Sequence, residues 1–188
     1  MPVHSPDTSN SLLDQASERA AGAWERLVNL YTPLLDFWFT AAGLQPADRD
    51  DLTQRVLEVL FRRLPDFEHN GRPGAFRAWL RGITINLLRE FRRARPLAEL
   101  PSDPLIDSDA ELSHLWDEQH DLHILNGLMR LVRPDFTDST WQAFRRLAID
   151  AETPEVVANE LGLSVNAVLI AKSRVLGRLR QEAQGLVD

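Results

Sequence analysis

Arginine is the residue whose spacing in this sequence points most directly to chemistry. Residues 72–95 hold Arg72, Arg77, Arg81, Arg89, Arg92, Arg93 and Arg95 against a single acid, Glu90, a local charge of +6. Residues 172–180 hold Lys172, Arg174, Arg178 and Arg180 with no acid, a charge of +4. A planar guanidinium matches the oxygens of a phosphate, so blocks of this kind are candidate phosphate-facing surfaces. A solvated helix face is the competing reading. Between the two blocks, residues 96–129 carry eight acids and no Lys or Arg, a charge of −8. The whole chain has a formal charge of −7. That total argues against nucleic acid as a partner only if the charge is evenly spread, and here it is not.

Other chemistry is scarce. With no Cys, disulfides, thiolate metal sites and a Cys nucleophile are excluded. The sequence has no Gly-x-Ser-x-Gly elbow and no Gly-rich phosphate loop, so it reads as a non-enzyme without a cofactor. His114, His120 and His123 lie near Asp117, Glu118 and Asp121, and His120 and His123 are one helical turn apart. That spacing alone would suit a metal, but the stretch is simply acidic and has no second ligand cluster. The expectation is solvated surface and no metal. The 188 residues, 44% hydrophobic and 26% charged, describe an ordinary globular chain. No run approaches the ~18 apolar residues of a membrane span, and the start, Met1 to Asp7, lacks the regions of a signal peptide. A cytosolic protein with no membrane partner is expected.

The elements that must position the basic residues are helical. Residues 1–16 are polar and read as a mobile tail. A helical period then brings Trp24, Leu27, Val28, Tyr31, Leu34, Leu35 and Trp38 to one face, with Pro33 expected to kink or divide the run. After a loop containing Gly43 and Pro46, Asp48 is expected to cap a helix with the stripe Leu52, Val56, Val59 and Leu60. A loop from Asp66 to Pro73 leads to a long helix whose Phe76, Trp79, Leu80, Ile83, Leu87, Leu88 and Phe91 form one apolar side. Most of the arginines lie off that stripe. Pro96, Pro101 and Pro104 with their acidic neighbours read as a tether. A helix from about Asp109 to Val132 follows, with Leu112, Leu115, Trp116, Leu122, Leu125 and Met129 expected on its packed side. Thr137 or Asp138 opens the next helix. No segment alternates like a strand, so the chain reads as all-α. The expected organisation is a tail at 1–16, a domain at 17–95, an acidic linker at 96–120 and a second domain at 121–188.

Residues 153–168 have the grammar of a helix-turn-helix. Thr153 is placed to cap and Pro154 fits the first helical position. Val157, Ala158 and Leu161 make a short inward face. Gly162 can take the positive φ of the tight turn, Leu163 plugs the core, and Ser164 caps a second helix with Val168, Val175 and Leu179 buried. This is the length of a DNA-binding motif. A structural αα-hairpin has the same outline, but here the second helix runs into the +4 block.

Three motifs in order resemble the small, two-domain extracytoplasmic-function (ECF) sigma factors of bacterial RNA polymerase. Asp51-Leu52-Thr53-Gln54 is similar to the Asp-Leu-x-Gln of the family's polymerase-binding helix. Residues 76–87 resemble its Phe-x-x-Trp-Leu-x-x-Ile-x-x-Asn signature with a basic tail. The helix-turn-helix resembles the family's region-four reader. The resemblance covers about residues 20–95 and 121–182.

The resemblance implies a subunit that directs core RNA polymerase to promoters. Its partners would be the β′ clamp and β flap of the polymerase and promoter DNA. Members are often held inactive by an anti-sigma factor, though nothing in the sequence identifies one. Asp51, Gln54 and Glu58 would face the clamp across a polar interface. Phe67, His69 and Asn70 lie in the loop that would capture an unstacked base at the minus-ten element. Asn86, Arg89, Arg92 and Arg93 would contact its upstream part, and Phe76 and Trp79 are expected in the core. Asn166, Leu169, Lys172, Ser173 and Arg174 would lie near the minus-thirty-five element. Two departures stand out. Leu169-Ile170-Ala171 replaces the family's Lys-Ser-Arg after Val168, which points to contact with thymine methyls or to readout of phosphates and shape. Arg55 stands where the family usually has an acid. A transcriptional regulator using only the helix-turn-helix, with residues 20–95 as a ligand or dimerisation domain, is the competing function. The acidic linker could also shield the basic faces in the free chain.

Overall fold

The computed structural model describes residues 11–67, 74–94 and 108–187. These contain eight α-helices and no strand: α1 (Leu12–Ser17), α2 (Ala23–Ala41), α3 (Pro46–Arg63), α4 (Ala75–Ala94), α5 (Asp109–Val132), α6 (Asp138–Ala148), α7 (Pro154–Leu161) and α8 (Val165–Ala183). They form two compact units. The first runs through Gly127 and takes in the C-terminal residues from Gln184; the second is Leu128–Ala183.

The N-terminal unit is built on α2, whose Leu27, Tyr31, Leu34, Leu35, Trp38 and Phe39 are buried. Pro33 does not divide the run. It sits exposed inside an unbroken α2. A proline there costs about 3 kcal/mol, and the buried residues on both sides of it hold the helix together. The expected tail is also shorter than the sequence suggests. Ser11 accepts from the Asp14 amide at 3.2 Å while Asp14 accepts from Ser11, a capping box, and Leu12, Leu13 and Ala16 are buried. A box of this kind satisfies two backbone donors at once, which lets six residues hold as α1. Helix α3 starts at Pro46, with Gln45 rather than Asp48 at the N-cap. Proline suits the first helical position because its missing N–H would have had no partner there.

Helix α5 is where expectation and structure part most clearly. Its buried side chains are Leu112, Trp116, His120, Ile124, Leu128 and Val132, a repeat of four, with Gly127 buried beside Leu128. Leu122 and Leu125, expected inside, are 57% and 42% exposed. A four-residue repeat drifts by about 40° per step around a 3.6-residue helix. The buried stripe therefore winds by roughly 200° along α5. Its first half packs in the N-terminal unit and its last residues belong to the C-terminal one. Residues 109–120, grouped with the acidic linker but read as the start of a helix, are helical; residues 96–107 lie outside the described residues.

The C-terminal unit has a core of Ala143, Leu147, Val157, Ala158, Val168 and Ala171, with Leu161 and Leu163 packed against it. Thr137 caps α6 by accepting from the Thr140 amide at 3.4 Å.

Candidate nucleic-acid and polymerase interfaces

Helices α7 and α8 meet at 104°, inside the range of about 90–120° for helix-turn-helix pairs. Gly162 ends α7 at φ 64°, ψ 32°, a left-handed conformation that a Cβ makes costly. Ser164 Oγ accepts from the Ala167 amide at 3.1 Å and opens α8. Thr153 stands at the N-cap of α7 but its side chain makes no capping bond. With Val168, Ala171 and Val175 turned inward, the opposite side of α8 exposes Asn166, Leu169, Ile170, Ser173 and Arg174. Lys172 lies at its margin, half-buried. The centre of this surface is apolar: Leu169 is 46% and Ile170 49% exposed. Arg178, counted in the basic block, is instead tied to Asp135 at 3.1 Å and to Glu182. Arg146 braces the motif from α6 by pairing with Glu152 and Glu160. The bond to Arg146 holds the Glu152 carboxyl below its ordinary pKa.

On α4, the predicted contacts Asn86, Arg89 and Arg93 are exposed and Arg92 is half-buried. Arg92 donates to the Ala42 carbonyl at 3.4 Å, so part of its capacity braces the end of α2. Phe76 is fully buried and Trp79 half-buried. Phe67 stacks on Trp79 with ring centroids 4.8 Å apart and meets Phe76 edge-on. His69 and Asn70 lie outside the described residues. Arg55, the unexpected cation of α3, pairs with Glu90 of α4 at 3.4 Å.

The charge of α4 is not freely presented. Arg77 pairs with Asp121 at 3.1 Å, Arg81 with Asp117, and Arg89 with Asp109 at 2.7 Å. All three acids belong to α5. Beside them His120, expected on the surface, is fully buried. Its Nδ1 lies 2.8 Å from Asp121 Oδ1 and its Nε2 3.2 Å from the Tyr31 hydroxyl. A carboxylate accepts, so Nδ1 donates to Asp121, and the Tyr31 hydroxyl, able to donate or accept, partners Nε2. Burial, reinforced by Asp121, raises the Tyr31 pKa and keeps that hydroxyl protonated. A buried polar group needs such partners, and with both nitrogens engaged a histidine can occupy a core position.

On α3, Asp51, Gln54 and Glu58 are all exposed, and their spacing puts them on one side. Gln54 and Glu58 border an open groove of about 960 Å³, whose larger apolar lining residues are Trp24, Val28, Leu57 and Phe61. Phe61 is 40% exposed. Trp24 meets it edge-on at 4.9 Å, and the Arg19 guanidinium lies 5.0 Å from its ring centre. Sequence reasoning missed Trp24, Phe61 and Arg19 as a group. The available signal was Phe61 itself, a large apolar residue off the buried stripe of its helix.

No family model matches the chain, and no solved structure matches it. Among curated proteins it is similar to the RNA polymerase sigma-E factor of Streptomyces antibioticus, at 31% identity over 152 residues, 77% of each chain. It is also similar to the proteins of that name from Streptomyces coelicolor, at 29% over 142 residues (73% of this chain, 72% of the relative), and Streptomyces avermitilis, at 28% over 144 residues (74% and 73%). The chain belongs to the ECF sigma factors. It is therefore a transcription-initiation protein without a catalytic role. Among the described residues of this sigma factor, no single helix is long and apolar enough to cross a membrane.

Proposed function

We propose that this sigma factor binds core RNA polymerase through α3 and its aromatic groove, and reads promoters with α4 at the minus-ten element and α8 at the minus-thirty-five element. The observation that supports this most strongly is the helix-turn-helix. It has a left-handed Gly162 corner, a 104° crossing and an exposed row from Asn166 to Arg174 on its second helix. In such motifs the first turns of the second helix meet base edges. Leu169 and Ile170 suit thymine methyl groups, Asn166 can bond an adenine edge, and Arg174 with Lys172 can hold phosphates.

The clamp of the β′ subunit would meet Asp51, Gln54 and Glu58, with an apolar side chain of the polymerase seated against Trp24 and Phe61. An aromatic centre with a polar rim is the usual anatomy of such an interface. The β flap and an anti-sigma factor are further expected partners of the family.

The test is reconstitution with core polymerase and run-off transcription from a promoter library. Polymerase-dependent initiation at a restricted set of promoters is expected, with Phe61→Ala reducing polymerase affinity about tenfold or more, as removal of a central aromatic contact does. Failure to initiate at any promoter, together with unaided binding to duplex DNA, would instead favour a helix-turn-helix regulator.

A further inference from the structure

We propose that the Asp109–Ile124 stretch of α5 is a removable cover over a nucleic-acid-backbone site on α4, formed by Arg77, Arg81 and Arg89. The proposal rests on the reading of α4 as a promoter-binding helix. It begins from a register. Four residues separate Arg77 from Arg81, and four separate their partners Asp121 and Asp117; eight separate Arg81 from Arg89, and eight separate Asp117 from Asp109. The two helices therefore run antiparallel with acids and arginines facing in step. Each arginine holds an anionic oxygen, and a guanidinium grips carboxylate and phosphate by the same donors. Asn86 and Arg93 lie within about 60° of Arg89 around α4. A DNA strand held by them runs onto the same arginines, which cannot hold a phosphate while they hold α5.

Three features make the cover dockable and three make it removable. Docking buries Leu112, Trp116 and Ile124 completely, lets Trp38 Nε1 donate to the Leu112 carbonyl at 2.7 Å, and joins His120 to Tyr31. Against this, the ladder is partly open to solvent, with side-chain exposures of 22–52% for the arginines and 34–47% for the acids. Pairs of that kind are screened and individually weak. Docking also buries the Trp116 Nε1 donor with no hydrogen-bond partner among the described residues, which subtracts from its gain. Finally, a DNA strand released from its counterions competes for the arginines with many phosphates at once. Polymerase-bound, opened DNA thus displaces the cover, while the free chain keeps the site shut.

The chain has no cysteine, so Arg81→Cys with Asp117→Cys introduces the only two thiols, one on each helix. They are bridged in the full chain by a disulfide-containing bis-maleimide that reductant cleaves. With core polymerase and a promoter the wild-type chain transcribes, the bridged protein is expected to lose at least tenfold in initiation and to recover the unbridged level on cleavage. Equal initiation by bridged and unbridged protein overturns the proposal. A wild-type chain that initiates nowhere counts against the sigma reading instead. If the unbridged variant is itself inactive, a polymerase-free measurement decides. Asp109→Asn, Asp117→Asn and Asp121→Asn together should bind a labelled random-sequence single-stranded 20-mer at least threefold tighter than a control of equal net charge, Glu18→Gln, Asp50→Asn and Glu155→Gln. Equal affinities overturn the cover.

Discussion

Helices α4 and α8 are both basic, both amphipathic and both proposed to meet DNA, yet they meet solvent differently. On α4 three arginines are paired with acids of α5, so most of the cationic face is engaged, with Arg93 left exposed. On α8 the exposed row carries Arg174 and an apolar centre, Leu169 and Ile170, while Arg178 is turned to structural work with Asp135. One helix is strongly charged but covered; the other is weakly charged but open. Charge counted along a sequence therefore measures capacity to bind phosphate, and the neighbours of each cation decide whether that capacity is available.

Substitutions on the two helices should separate them. The largest effect should come from the open helix. Lys172→Ala with Arg174→Ala should weaken duplex binding about tenfold or more and lower the salt slope by about two, with polymerase binding intact. Loss of polymerase binding to the same degree would show that α8 is not primarily a DNA reader. Arg92→Ala with Arg93→Ala should act less strongly, because Arg92 is already engaged with the Ala42 carbonyl. We expect a loss of about fivefold and a slope change of about one on opened promoter, and none on duplex bound by the free chain. An unchanged slope would remove both from the phosphate surface.

A smaller effect sharpens the reading of the apolar centre. Replacing thymine by uracil at a single contacted position removes one methyl group and should cost about fourfold in affinity, near 0.8 kcal/mol. The loss should vanish in Leu169→Ala if that side chain makes the contact. Insensitivity of binding to uracil throughout the element would leave readout to phosphates and shape. The smallest effect concerns the brace under α8. Glu152 has a depressed pKa in the folded chain, so its pairing with Arg146 stabilises above the ordinary carboxylate range and is lost as pH falls through the depressed value. The melting temperature of Glu152→Gln should lie below that of the wild type at pH 7, with the gap closing as pH falls from the ordinary carboxylate range through the depressed value. A constant gap across that range would mean the ion pair is not the source.

Most of the helix-turn-helix was legible because its rules are local. Gly162 at a left-handed corner, Ser164 as a cap and the inward spacing of Val157, Ala158 and Val168 depend on neighbours a few residues away. The signature on α4 was legible for the same reason. The aromatic groove was not, since Trp24 and Phe61 come together only when α2 packs on α3. His120 was misread as surface because a histidine among acids looks solvated, and the residue that makes it a core position, Tyr31, is 89 residues away.

By itself, the sequence determined an all-α chain, the family to which it belongs and the helices on which its basic residues lie. These follow from periodicity, caps and motifs, which are written in short windows. Only the tertiary structure decided which of those basic residues are occupied. It laid the acidic stretch from Asp109 to Asp121, already legible as helix, in register with α4. The physical reason is that a charge acts on whatever folding brings within a few ångströms of it, and for Arg77, Arg81 and Arg89 those partners lie 20 to 44 residues away along the chain.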